Sequence, residues 1–192
     1  MLKGELVILR ALEEEDAYEL IKYVNDIEIL QYLTLYRPLS LQDELEFIRR
    51  VREEMKQNRS FSFAIVDKEA NKLIGTIGLH NVDWISRNAE LGIAIWKKEY
   101  WGRGYGTDAM KLLLYYGFTF LNLHRIWLRV YSFNKRAIRA YEKIGFKMEG
   151  TLREHVFKNG RYLDIHIMGI LKYEFEEKHS TWIKSVFPFL ER

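Results

Sequence analysis

The sequence predicts a mixed α/β fold, in which early strands form hairpins and later strands alternate with helices around one sheet. Apolar and small residues alternate from residue 61 to 65. After a turn at residues 67–71, a second apolar run returns at residues 73–79, as in a β-hairpin. A glycine-rich turn at residues 101–107 then separates a buried apolar strand, residues 89–95, from a stretch with helical spacing.

The elements before the first hairpin are a short strand and two helices. Residues 6–9 predict the strand, and residues 14–29 predict one helix with acidic residues near its positive end. Residues 40–43, with the sequence Ser-Leu-Gln-Asp, have the form of a capping box, and apolar residues follow at helical spacing as far as Met55. The second helix is therefore expected to begin just after Ser40.

The second half of the chain predicts two strand–helix units and a closing hairpin. Asn134 is a good N-cap and Gly145 a good C′ residue for the helix between them. Asn159-Gly160 is a two-residue hairpin turn signal. The other predicted ranges are 107–121 for a helix, 124–131 for a strand, and 146–153 and 162–171 for the last two strands.

Length and composition indicate one domain. The chain has 192 residues, of which 48% are hydrophobic and 30% charged, enough for a substantial core and unlike a disordered chain. We expect a core over about 6–171 and a helical tail over about 172–192. The tail is weakly amphipathic to Phe187, where Pro188 stops it. The tail is a candidate contact element of a homodimer.

Charge and residue usage exclude several classes of protein. A net charge of +3, dispersed along the chain, does not indicate nucleic-acid binding. Without cysteine there is neither a disulfide framework nor a thiolate nucleophile, and no His and carboxylate spacing suggests a metal site. No segment has the roughly 20 apolar residues of a membrane span, and the N-terminus lacks a signal-peptide pattern. We expect a cytoplasmic protein without a membrane partner.

The glycine-rich turn has the properties of an anion site. Gly102, Gly104 and Gly106 allow backbone N–H groups to converge, and the helix that follows adds free N–H groups and a positive dipole end. A nucleotide P-loop would need a Gly-Lys-Ser or Gly-Lys-Thr ending, which is absent. A dinucleotide fold would need G-x-G-x-x-G and an acid about 20 positions on, where the strand at 124–131 is instead basic.

A second segment specifies the family. It runs from Asn134 to Phe146 with the pattern N-x-x-A-x-x-x-Y-x-K-x-G-F. Together with the glycine-rich turn, it resembles the GNAT family of acetyl-CoA-dependent N-acetyltransferases, whose pyrophosphate motif is (Q/R)-x-x-G-x-(G/A). Trp101 stands at the first motif position, where Gln or Arg is usual. That departure is similar to the RimJ/RimL-like branch, which acetylates protein N-termini.

The resemblance covers roughly residues 6–171 and implies both a fold and a cofactor. The implied fold is the GNAT fold, a central, mixed and mostly antiparallel twisted sheet flanked by helices and splayed after its fourth strand. The implied cofactor is acetyl-CoA as acetyl donor, with no metal. The implied cofactor-binding residues are Gly92, Ile93, Ala94, Ile95, Trp101, Gly102, Arg103, Gly104, Tyr105, Gly106, Thr107, Asn134, Arg136 and Lys143.

The resemblance also implies two catalytic residues. Tyr141 corresponds to the family's general acid, and a phenol with a pKa of ~10 suits a departing thiolate. Glu90 corresponds to the glutamate that takes the amine proton, directly or through water. His80, at the end of the neighbouring strand, is an alternative base. Glu90 is otherwise interpreted as a strand-end charge paired with an arginine such as Arg87.

The acceptor is the least specified part of the implied function. The branch implies direct attack by a protein N-terminal amine, whereas a polyamine or other small amine is the alternative. A non-catalytic acyl-CoA sensor is an alternative of another class. Acids on the first helices would suit a polyamine, although they also suit ordinary helix starts and solvated faces. The implied acceptor-binding residues are Tyr32, Tyr36, Arg37 and His80.

Overall fold

The structure is a computed structural model that describes residues 1–188. Within them, eight strands form one sheet in the order β1-β2-β3-β4-β5-β6-β8-β7. All neighbouring strands are antiparallel except β5 and β6, so the predicted mixed, mostly antiparallel sheet is confirmed. The strands are β1 (Leu2–Lys3), β2 (Val7–Ala11), β3 (Phe61–Asp67), β4 (Lys72–Asp83), β5 (Asn88–Ile95), β6 (Arg125–Tyr131), β7 (Lys147–Lys158) and β8 (Arg161–Leu171).

The helices begin and end largely where the capping residues predict. Ser40 and Asp43 form the predicted capping box, and the Asn134 side chain accepts from the N–H of Ala137. Single 3₁₀ turns lie at Glu14–Asp16 and Lys98–Tyr100. The helices are α1 (Ala17–Leu20), α2 (Ile27–Leu30), α3 (Leu41–Lys56), α4 (Tyr105–Thr119), α5 (Lys135–Ile144) and α6 (Lys172–Val186).

The prediction of one continuous helix over residues 14–29 is wrong. The helix stops after Leu20, and a new one begins beyond Asp26, whose carboxylate accepts from the N–H of Glu28. Between them, the Asn25 amide exchanges two hydrogen bonds of 2.8 Å with the backbone of Leu39. Asn and Asp side chains offer the backbone such local alternatives to helical hydrogen bonds, and here two of them break the helix.

The sheet opens between β5 and β6. These strands pair only from Asn88 to Glu90, opposite Arg125 to Trp127. Beyond that point β5 remains bonded to β4 and β6 to β8, but not to each other. The opening lies at the strand that leads into the glycine-rich turn, where it was expected. Beyond Glu90, one edge of β5 therefore has no strand partner.

Helices cover both faces of the sheet. Helix α4 packs on one face with Leu112, Leu113 and Phe118 fully buried, while α1 to α3 cover the other face. Within residues 1–188, no helix combines the length and apolar character that crossing a bilayer requires.

The C-terminal helix α6 packs on α4 of its own chain. Phe175 and Trp182 are buried, and the Lys111 ammonium lies 4.7 Å from the centre of the Trp182 ring. The Tyr115 ring stacks on Phe187 with centroids 4.0 Å apart. Phe175, Trp182 and Phe187 of the candidate dimer element are therefore buried within the chain, whereas Tyr173 is exposed. The end of the expected tail, residues 189–192, lies outside the described residues.

The N-terminal strand is attached to α4 through Asp108. This carboxylate is 3% exposed and accepts from the backbone N–H groups of Leu6 at 2.8 Å and Val7 at 3.0 Å. Asp108→Ala would leave both donors unpaired in a buried site, so we expect the free energy of unfolding to fall by about 1.5–3 kcal/mol in urea titration. Glu142→Ala, on the exposed side of α5, is the control and should change it by less than about 0.5 kcal/mol. Equal losses in the two variants would contradict this role.

Candidate active site

A cleft of about 800 Å³ lies where β5 and β6 separate. Its walls are the free edge of β5, the glycine-rich turn with the start of α4, the inner face of α5, residues 29–36, the end of β6, and parts of β7 and β8. Sixteen of the twenty predicted binding or catalytic residues line it, so the site predicted from scattered sequence positions is one continuous space. The four outside it are Arg37, His80, Arg103 and Tyr105.

The glycine-rich turn presents backbone rather than side chains to the cleft. Gly102 and Gly104 have φ angles of 73° and 91°, a left-handed conformation that favours glycine. Gly104 occupies the N-cap of α4 and supplies no capping side chain, so the first-turn N–H groups stay available to an anion. A Cβ at Gly106 would meet only Ile93 and Ile95, both at 3.8 Å. This turn therefore fits a pyrophosphate group.

Trp101 has a structural role that explains its departure from the motif. Its indole N–H donates to the carbonyl of Ile95 at 2.8 Å and so ties the turn to the end of β5. The Arg136 guanidinium lies 3.8 Å from the centre of the Trp101 ring and 5.4 Å from that of Tyr32. The tryptophan thus connects the cofactor turn, α5 and the residue 29–36 wall.

Helix α5 gives the cleft a positive wall. Arg136, Arg139 and Lys143 lie at i, i+3 and i+7, and all three line the cleft. Arg139 was not among the predicted residues, although its helical spacing from Arg136 and Lys143 was a usable signal. These cations suit the phosphate groups of a nucleotide cofactor.

The side chains of Arg103 and Tyr105 lie outside the lining of the cleft, which leaves their backbone N–H groups for the predicted cofactor contact. The Arg103 guanidinium donates to the carbonyl of Glu99 at 3.3 Å and lies 6.0 Å from the centre of the Tyr105 ring. Tyr105 in turn packs edge-on against Tyr100, with centroids 4.8 Å apart. Both side chains are engaged by their own segment and lie outside the cleft lining.

Tyr141 lines the cleft from α5 and is protected from ionisation. It is 8% exposed, and burial raises its pKa to about 12. Phe146 packs edge-on against its ring. The phenol therefore keeps its proton throughout the physiological pH range, as a proton donor must.

Glu90 lies where the two strands separate, and its ion pair differs from the prediction. Its carboxylate accepts from Arg129 Nε at 2.7 Å and from Arg129 Nη2 at 3.2 Å, with Asn81 Nδ2 at 3.3 Å. In the alternative interpretation of Glu90 as a strand-end charge paired with an arginine, the partner is Arg129 and not Arg87. Arg87 lies in the turn before β5, where its carbonyl accepts from the N–H groups of residues 124 and 125, whereas β6 runs parallel to β5 and brings Arg129 beside Glu90.

His80 is the direct cross-strand neighbour of Glu90 on β4. Its ring fits against two glycines, because a Cβ at Gly78 or Gly92 would lie 3.0 or 3.2 Å from Nε2. Burial lowers the pKa of His80, which favours the neutral imidazole at pH 7. His80 therefore lies beside Glu90 but does not line the cleft.

The end of the cleft between residues 29–36 and β6 is aromatic. Tyr32 and Tyr36 line it as predicted, whereas Tyr131 and His155 also line it and were missed. The Tyr131 hydroxyl donates to the carbonyl of Leu33 at 3.2 Å, which fixes the residue 29–36 wall against β6. The alternation of side chains along β6 was the available signal for Tyr131, and no local pattern indicated His155.

Arg37 faces a different space. Its guanidinium donates to Asp43 at 2.7 Å and lines a second cavity of about 390 Å³ beside the cleft. The Asp43 carboxylate of the α3 capping box holds it outside the lining of the cleft, and its place in the acceptor groove stays a prediction. Among the described residues, no three His, Asp or Glu side chains gather as a metal site would require.

Comparisons with known proteins agree with this geometry. The family model described as the acetyltransferase (GNAT) domain matches residues 7–147. The chain is 31% identical over 171 residues to an uncharacterized N-acetyltransferase, p20, of Bacillus licheniformis, covering 89% of this chain and 96% of that protein.

A further relative and a solved structure have a named acceptor. The spermidine N(1)-acetyltransferase of Vibrio cholerae is 36% identical over 167 residues, covering 87% of this chain and 94% of that protein. A crystal structure of the V. cholerae spermidine N-acetyltransferase with CoA and spermine superposes with a TM-score of 0.79 at 33% identity, covering 88% of this chain and 98% of the other. This chain belongs to the GNAT acetyltransferase family and is an N-acetyltransferase that uses acetyl-CoA.

Proposed function

We propose that this enzyme transfers the acetyl group to a primary amine by direct attack, without a covalent enzyme intermediate. The observation that carries the proposal is a single cleft with an anion-ready turn at one end and both Glu90 and Tyr141 in its lining. Acetyl-CoA supplies the acetyl thioester. The test is acetyl-CoA-dependent thiol release on addition of amines. A protein that binds CoA but releases no thiol with any amine would be an acyl-CoA sensor.

The residues present fit the cofactor. Backbone N–H groups from Gly102 to Thr107 would hold the pyrophosphate, with Arg136, Arg139 and Lys143 adding charge. The unpaired edge of β5 from Gly92 to Ile95 offers backbone groups to the amides of the pantetheine arm. Asn134, whose side chain already caps α5, also lines the cleft and is the remaining polar contact we assign to the cofactor.

Gly106 gives the cleanest test of the cofactor turn. It lies in the helix and lines the cleft, and a Cβ there would make only ordinary van der Waals contacts, whereas Gly104 would be strained by any side chain. Gly106→Val should fold but place a branched side chain where phosphate approaches, so the CoA dissociation constant should rise at least about 100-fold by calorimetry. Gly150→Val, at an open position on β7, is the control. Unchanged CoA affinity in folded Gly106→Val would contradict the assignment.

Tyr141 is assigned as the proton donor to the leaving thiolate. Tyr141→Phe removes one hydroxyl and keeps the ring, so kcat should fall by roughly 10²–10⁴ with little change in CoA affinity. The deficit should shrink with acyl donors whose thiols are more acidic. Tyr162→Phe, exposed on β8, should have no effect. A deficit that stays constant across donors would assign Tyr141 to packing instead.

Glu90 is assigned as the base that receives the amine proton, with the neutral His80 beside it as the alternative. Glu90→Gln keeps the shape and removes the basicity. The rate loss should be greatest at low pH, where few amines are neutral, and should diminish as pH rises. Glu149→Gln, which removes another acid–arginine pair of the sheet outside the cleft, is the control. A pH–rate profile that matches the parent enzyme would exclude Glu90 and favour His80 or water.

Two acceptor classes have support. The named relatives are spermidine acetyltransferases, which favours a polyamine or other small amine. Trp101 in the pyrophosphate motif resembles the RimJ/RimL-like branch, which favours a protein N-terminal amine. An α-amine with a pKa of ~7.7–8.0 needs little help to become neutral, and a single base beside the cleft suffices for it. Spermidine and short peptides are therefore the first acceptors to compare.

A further inference from the structure

The second cavity adjoins the end of the cleft that residues 29–36 border. The two spaces share Tyr36, and the smaller one, about 390 Å³, lies between residues 25–38 and the end of β7. The cavity is open and lies beside the wall that borders the acceptor end. The lining of this second cavity includes Tyr36, Arg37 and Lys158.

Lys158 is a buried cation at the edge of this cavity. It is 8% exposed, and its ammonium donates to the carbonyl of Leu33 and lies 5.6 Å from the centre of the Tyr131 ring and 6.0 Å from that of Tyr36. No carboxylate within residues 1–188 pairs with it. Burial lowers its pKa. An ammonium has three N–H donors, and the protein uses one of them at this position.

The described part of the cleft offers no free carboxylate to a polycation. Of the cleft-lining residues that the structure describes, Glu90 is the one acid, and Arg129 already pairs with it. Three acids of the first helices are engaged in ion pairs as well. Their pairs are Glu19 with Lys97, Asp26 with Lys98, and Asp43 with Arg37. Extended polyamines need acids along their length, and this path offers cations and aromatic rings instead.

We propose that the acceptor is an amine that carries a carboxylate, held by Lys158 while the amine faces Glu90. This inference rests on the proposed function. Transfer forms the N–C bond of the amide and breaks the C–S bond of the thioester. The amine proton passes to Glu90, and the thiolate takes its proton from Tyr141. The carboxylate belongs either to a small amino acid or to an acidic peptide.

Matched acceptors test this proposal. We would measure kcat/KM for ω-amino acids of increasing length, for alkylamines of equal length, for spermidine, and for tripeptides with Glu or Gln beyond the first residue. The best carboxylate acceptor should exceed its uncharged partner by roughly 10–100-fold, the scale of a charged hydrogen bond. Comparison of the rates for amino acids and for Glu peptides shows which of the two carries the carboxylate that the enzyme prefers.

Substitution of Lys158 tests whether this residue causes the preference for carboxylate acceptors. Lys158→Gln should remove that preference through KM, lowering kcat/KM for the carboxylate acceptor roughly 10–100-fold more than for the alkylamine, and Lys158→Arg should restore much of it. Arg161→Gln, across the same hairpin turn, is the control and should change neither. Thermal unfolding of each variant reports any loosening of the hairpin.

The outcomes separate the two proposals. Spermidine as the best acceptor, or an equal loss for charged and uncharged acceptors in Lys158→Gln, would overturn the carboxylate proposal and leave the acetyltransferase proposal standing. Binding of CoA without thiol release in the presence of any amine would overturn both.

Discussion

The separation of β5 from β6 is the constraint on which the site depends. Parallel strands that part after Glu90 leave β5 with a partner on one side only. An unpaired strand edge inside a protein is costly, because its N–H and C=O groups lose water without gaining hydrogen bonds. A cofactor arm with amide groups satisfies such an edge, so the opening both creates the cleft and selects an extended ligand that carries amides.

The remaining parts of the site hold the opening in place. The Glu90–Arg129 ion pair spans the point where the strands separate. At the far end of β5, Trp101 fixes the glycine-rich turn to Ile95 and supports Arg136. Lys97, paired with Glu19, ties the same segment to α1. The residue 29–36 wall and the glycine-rich turn are therefore connected through side-chain contacts. A shift in the position of one is expected to move the other.

Local signals account for the parts of the fold that the sequence predicts well. The capping box at Ser40, the caps of α5 and the Asn159-Gly160 turn depend on neighbouring residues, and all three occur as predicted. The glycine-rich turn was predictable for the same reason. The broken first helix is the exception, because the Asn25 bonds that interrupt it reach Leu39, fourteen positions away.

Long-range partners could not be predicted. Glu90 pairs with Arg129 because of the parallel register of β5 and β6, and no local pattern specifies that register. Lys158 comes beside Leu33 through folding of the last hairpin over the residue 29–36 wall. The sequence thus indicated most of the predicted residues that line the cleft from their motifs, whereas the charges beside residues 29–36 required the fold.

Hydrogen exchange of the backbone with and without CoA tests the role of the open strand edge most directly. Saturating CoA should slow amide exchange in two segments above all others, residues 91–96 along β5 and residues 102–107 in the glycine-rich turn. Calorimetric titration on the same sample would establish that the site is filled. Tight CoA binding with unchanged exchange in residues 91–96 would contradict the claim that the separation of β5 from β6 exists to receive the cofactor.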